Sequence, residues 1–247
     1  MKKGERRKEE ILQTAADLFA QKGYLRTTLN DIISQIGCSK GSFYHHFESK
    51  LQVLQALASQ RTLNAYQAYA SEVPADPLQR LNRLLYYAFP FRAGEEQFLS
   101  SLLGLDLQQE GAVITQHVRQ SLKNGFYADV VATLEKLRSQ GIAYYSNAAL
   151  PELLWEAHMA FVTVLTQEGC RLVISGGTPA SRAVEMLGAT RFLWERMLDI
   201  PYGSMDILPA EELLATLKAA VAGVEGVQQL RFDAGFAAPC QQLPGTV

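Results

Sequence analysis

Gly23-Tyr24-Leu25-Arg26-Thr27-Thr28-Leu29-Asn30-Asp31-Ile32-Ile33-Ser34-Gln35-Ile36-Gly37-Cys38-Ser39-Lys40-Gly41-Ser42-Phe43-Tyr44-His45-His46-Phe47-Glu48-Ser49-Lys50 is the stretch that decides the fold. Thr28 and Asp31 have the spacing of a capping box, in which a hydroxyl and a carboxylate reciprocally satisfy backbone N–H groups at a helix start. Leu29, Ile32, Ile33 and Ile36 then recur at i, i+3, i+4 and i+7, and Gly37 stops a helix of barely two turns. Ser39 can cap a second short helix, Lys40 to Phe47, with Phe43 and Phe47 on one face and Ser42, His45 and His46 pointing elsewhere. Two short helices joined through a glycine are the pattern of a helix-turn-helix, whose second helix enters the DNA major groove. An antiparallel helix pair in an ordinary core has the same periodicity, so spacing alone leaves both readings open.

Outward from this segment, helical periods continue. Upstream, Ile11, Leu12, Ala15, Ala16 and Phe19 form an apolar stripe that ends before Gly23. Downstream, Ser49 and Gln52 make a further capping box opening a long helix through Leu54, Leu57, Ala58, Arg61 and Ala65. More helices are expected near Asp76 to Phe91, Glu95 to Gln109, Ala112 to Gln140, Ala148 to Ile174, Pro179 to Leu198 and Pro209 to Ala222. No segment reads as a strand, and after Gly226 the composition turns to that of a loosely attached tail. The expected class is all-α, in three parts: a helix-turn-helix domain over 1–50, a larger helical domain over 51–205, and a C-terminal helix with a tail over 206–247.

The 247 residues have an ordinary globular composition, with a net charge of −2 that divides unevenly: residues 1–50 carry +3 and the remainder −5. A small basic module on an acidic body can approach phosphates, because binding follows the local field. Arg6, Arg7 and Lys8, with Lys2 and Lys3, read either as an arm along the DNA or as a frayed terminus. Three singly scattered cysteines, Cys38, Cys170 and Cys240, make no disulfide framework and fit a reducing compartment. With neither a signal peptide nor a run of 18 apolar residues, the expectation is a soluble, cytoplasmic protein with no membrane attachment.

The G-x-x-x-T-T and G-x-S-x-G-S-F-Y-x-x-F-x-S-K elements between Gly23 and Lys50 resemble the DNA-binding domain of the TetR family of transcriptional regulators. The resemblance covers about the first fifth of the chain and implies that the remaining helices bind a ligand and form a homodimer. It also implies roles that the chemistry of each residue allows. Thr28 places the bracing helix's N-terminus beside a phosphate, and Ser39, Tyr44, His46 and Lys50 are further phosphate anchors. Lys40, Ser42 and His45, with the backbone at Gly41, reach base edges. The chain departs from the family pattern at Ile33 and Ile36, where alanine is common, and at Cys38, where valine is common. The implied function is a repressor that leaves its double-stranded DNA operator when a small-molecule effector binds.

The same residues bear on two other chemistries. Gly37-Cys38-Ser39-Lys40-Gly41 also fits the G-x-S-x-G elbow of a helical hydrolase using Ser39 or a pocket histidine, but that elbow needs a preceding strand and the residues before it have helical spacing. Adjacent His45 and His46 diverge by about 100° on a helix, so they do not share one metal ion. No enzyme activity, metal or cofactor is therefore expected.

The C-terminal helices are apolar on most of their circumference: Leu153, Leu154, Trp155, Met159, Phe161, Val162 and Leu165 on one, Leu187, Phe192, Leu193, Trp194, Met197 and Leu198 on the other. Such helices are buried on more than one side, either by a deep monomer core or by a four-helix dimer interface. Tyr87, Phe91, His117, Phe126, Trp155 and His158 are the candidate ligand contacts, an apolar set with two polar tips.

Overall fold

The computed structural model describes residues 3–106, 111–175 and 181–224. Among them there are ten helices and no strand: α1 (Lys3–Lys22), α2 (Leu29–Ile36), α3 (Lys40–Tyr44), α4 (Lys50–Ser71), α5 (Pro77–Tyr87), α6 (Glu96–Asp106), α7 (Gly111–Ser139), α8 (Leu150–Ser175), α9 (Ser181–Leu198) and α10 (Ala210–Gly223). The all-α class is as the sequence indicates. The tail after Gly226 lies outside the described residues.

Helices α1 to α3 form the head, closed by Ile11, Ala15, Ile32, Phe43 and Phe47, each at most 2% exposed. Its boundary is a helix rather than a linker: α4 starts at Lys50 and packs on both α1 and α7. In the body, α5 and α7 pack on α4, while α8 meets α6, α7, α9 and α10. Helix α10 buries Leu213, Thr216, Leu217 and Ala220 against α6, α8 and α9. Met205, Ile207 and Leu208, on either side of the division expected at 205/206, are buried too.

Three local expectations are corrected. Helix α5 ends at Tyr87 instead of continuing to Phe91, because Pro90 lacks an N–H and disfavours helical geometry in the residue before it. Helix α3 ends at Tyr44; His46 N–H bonds Phe43 O at 2.9 Å, a tightened last turn that still delivers Phe47 to the buried face. Arg6 to Lys8 lie within α1, where Arg7 pairs with Glu10 at 2.8 Å, so they are not a frayed end, while Lys2 lies outside the described residues.

Candidate nucleic-acid interface

The head's geometry begins with two caps. Thr28 Oγ1 accepts from Asp31 N–H at 3.1 Å, and Asp31 Oδ2 accepts from Thr28 N–H at 2.7 Å, completing the capping box. Asp31 also meets Lys22 Nζ at 2.8 Å. That ammonium bond, with the Thr28 backbone and hydroxyl, holds the Asp31 carboxyl down at about 2, so it is ionised at the helix start throughout the physiological range. Lys22 offsets that negative charge, which would otherwise repel a phosphate arriving at the same N-terminus.

The turn follows from Gly37. Its φ of 69° is left-handed, and its N–H bonds Ser34 O at 3.2 Å while Cys38 N–H bonds Ile33 O at 3.3 Å, closing the carbonyl end of α2. Ser39 Oγ then accepts from Ser42 N–H at 3.2 Å and opens α3. A helix, not a strand, precedes Ser39, and its oxygen is engaged as a cap, which removes the setting a nucleophile elbow needs. Cys38 is half-buried against the head's core.

With Phe43 fully buried, the opposite side of α3 is turned outward. Ser39, Lys40, Gly41, Tyr44 and His45 are exposed, as is Thr28, while Ser42 and His46 are half-buried. His46 lies near Lys8 and Arg7; partial burial and these cations, with His45, push its pKa below the ordinary imidazole value. It is the neutral ring that this setting favours.

Lys50, expected among the phosphate anchors, is engaged inside the head. Its ammonium donates to Tyr24 O and Thr27 O, both at 2.8 Å, and lies 4.2 Å from the centre of the Tyr24 ring. Thr27 beside it is fully buried, its hydroxyl donating to Gly23 O at 2.8 Å. Together they fix the 23–27 turn that sets α2 against α1. Neither periodicity nor motif spacing could reveal this strut, because its partners are backbone carbonyls more than 20 residues away.

The candidate ligand contacts do not converge on one opening. Phe91, Phe126, Trp155 and His158 are wholly buried. His158 sits among Phe89, Trp155 and Trp194 with ring centres 5.7, 6.2 and 6.5 Å away, whereas Phe126 packs on Tyr66 at 5.5 Å. His117 Nε2 lies 2.9 Å from Ser59 Oγ on the exposed seam of α4 and α7. Tyr87 borders a cleft between α4, the α5–α6 connection and α7, where Phe89, Arg61, Arg92 and Glu95 accompany it. Phe89 belongs to the aromatic set that the sequence places in the middle helices, whereas the charged Arg61, Arg92 and Glu95 were not expected there, although Arg61 stands in the apolar register of α4, an arginine where the stripe calls for a hydrophobe. Among the described residues no three His, Cys, Asp or Glu side chains are grouped to hold a metal, and no helix is long and apolar enough to cross a membrane.

Residues 11–57 match the family described as bacterial regulatory proteins, tetR family. The chain is 50% identical over 48 residues to the uncharacterized HTH-type transcriptional regulator YerO of Bacillus subtilis, covering 19% of this chain and 17% of that protein. It is 34% identical over 85 residues to the HTH-type transcriptional repressor KstR2 of Mycolicibacterium smegmatis, covering 34% and 42%. The chain thus spans less than half the length of these curated relatives in the regions that match. The fold is similar to that of the transcriptional regulator FadR from Bacillus subtilis, solved in complex with stearoyl-CoA: TM-score 0.52, 16% identity, 78% of this chain and 99% of that one.

Proposed function

We propose that this chain, a tetR-family protein by its residues 11–57, is a cytoplasmic, homodimeric transcriptional repressor that leaves its operator when a small molecule occupies the helical body. The observation that carries the reading is the outward polar side of α3, with Lys40, Gly41, Tyr44 and His45 exposed over a sealed Phe43–Phe47 base. In this reading Thr28, Ser39, Tyr44 and His46 position the head on phosphates, Lys50 braces the turn behind them, and Lys40, Ser42, His45 and the Gly41 backbone read base edges. The similarity to KstR2, a repressor, supports the sign of regulation, and a FadR-like fold, seen there with stearoyl-CoA, supports a body that houses a ligand. Ser39 has no part in hydrolysis.

Two heads are required because half-sites lie about one helical turn of DNA apart. The surface that would join them runs along α8 and α9. Leu153, Phe192, Leu193 and Met197 are 60, 51, 38 and 43% exposed, and Ala157, Ala160, Gly188 and Ala189 between them allow close helix approach. An apolar stripe of this kind favours burial against a second copy.

Fluorescence anisotropy with DNA flanking the chain's own gene tests the reading. Salt-sensitive, sequence-selective binding is expected, with Tyr44→Phe weakening all sequences and Lys40→Ala or Ser42→Ala changing preference among them. Absence of selective binding across such fragments refutes it.

A further inference from the structure

We propose that the cleft between α5 and the chain leading into α10 binds a free α-amino acid, whose carboxylate pairs with Arg83 and whose ammonium pairs with Glu212. The cleft offers about 480 Å³, within the range of about 300–1,000 Å³ that small-molecule sites occupy. Its walls are pinned. Arg80 holds the Pro74 carbonyl through Nε and Nη2 at 3.1 and 3.0 Å. The Asn82 amide fixes the 204–206 segment twice, donating to Ser204 O at 2.9 Å and accepting from Asp206 N–H at 2.7 Å. A cleft held in this way needs little reordering when a ligand enters.

Tyr86 sets the charges inside it. The Arg83 guanidinium lies 5.2 Å from the centre of the Tyr86 ring, and the hydroxyl of that ring donates to Glu212 Oε1 at 2.9 Å. Glu212 Oε1 also accepts from Ala93 N–H at 2.8 Å, while Oε2 has no partner among the described residues. Arg83 is likewise half engaged. Its Nη2 donates to Glu72 Oε2 at 2.6 Å and to the Tyr87 hydroxyl at 3.1 Å, whereas Nε and Nη1 have no acceptor among the described residues. The third ion of the lining, Asp206, is occupied by Arg191 at 3.3 Å. One cationic edge and one anionic oxygen are therefore open around the same tyrosine. A simple anion meets a like charge at Glu212, and a simple cation meets one at Arg83. A zwitterion pairs with both, through hydrogen bonds strengthened by charge. Pro74, Pro209 and the Tyr86 ring make the remaining surface suit a hydrophobic side chain.

Calorimetric titration of the full chain with L-phenylalanine tests this, with 3-phenylpropanoate and phenethylamine as counterparts that lack the ammonium and the carboxylate respectively. Saturable binding of phenylalanine is expected, with each counterpart weaker by about tenfold or more. Glu212→Gln should weaken phenylalanine by about tenfold and leave phenylpropanoate unchanged or tighter. Arg83→Gln should weaken phenylalanine and phenylpropanoate, and leave phenethylamine unchanged or tighter. Damage to the fold does not produce that crossed pattern. The parent chain's ranking of the three ligands decides whether both charges are recognised, and the variants decide which residues recognise them. No binding of phenylalanine, equal binding of either counterpart by the parent chain, or a variant that weakens all three ligands alike overturns the proposal. Occupancy of this cleft does not depend on what the head binds, so operator binding on the same preparations is a separate result: its absence removes the regulator reading alone.

Discussion

His158→Leu should make the protein more resistant to acid while leaving its stability near neutrality almost unchanged. The ring is fully buried on α8, its two nitrogens have no hydrogen-bond partner, and desolvation pulls its pKa from 6.5 down to about 4. Between those values the unfolded chain takes up a proton that the folded chain refuses, so stability is complete above 6.5 and falls as the pH drops toward 4. Each pH unit in that window costs about 1.4 kcal/mol, so at pH 5 the histidine accounts for a loss of about 2 kcal/mol. Leucine removes this term. It also removes two unmade hydrogen bonds, worth about 1–3 kcal/mol in general, which offsets the imperfect fit of a smaller side chain among Phe89, Trp155 and Trp194. Urea unfolding of parent and variant at pH 7.5 and pH 5 measures the effect. Carboxylates common to both proteins cancel in the difference, which should grow by about 2 kcal/mol in the variant's favour at the lower pH. Parallel loss of stability in both proteins would refute the account of a neutral, desolvated imidazole.

Lys50→Met should lower stability by about 2 kcal/mol, since half-exposed ammonium bonds to two carbonyls count for less than buried ones, and should leave the salt dependence of DNA binding unchanged. Unchanged stability, together with a slope of log K against log salt reduced by about 1, would show a phosphate anchor instead of a strut. Gly37→Ala should cost about 1 kcal/mol in urea unfolding, because a Cβ there meets open space and only the left-handed φ opposes it; a cost near zero would contradict that turn geometry. If the proposed dimer forms through α8 and α9, Phe192→Asp should sediment as a monomer where the parent sediments as a dimer, without altering the circular dichroism of the helices. A dimer that persists would move the interface away from α8 and α9.

Local chemistry was enough to establish the head. Capping at Thr28 and Ser39, the αL stop at Gly37 and the apolar spacing of Leu29 to Ile36 act within one or two helical turns, so their sequence order is also their spatial order. The all-helical body was legible for the same reason, down to Asp76 and Pro77 opening α5. Lys50 turning inward to Tyr24 and Thr27, α10 joining the second core, and Arg61 meeting Glu95 across the cleft were not legible. Each depends on segments far apart in the chain approaching within a few ångströms. Periodicity says which face of a helix is buried but not what lies opposite it, and a charged side chain finds its partner only when the packing of whole helices brings that partner within reach.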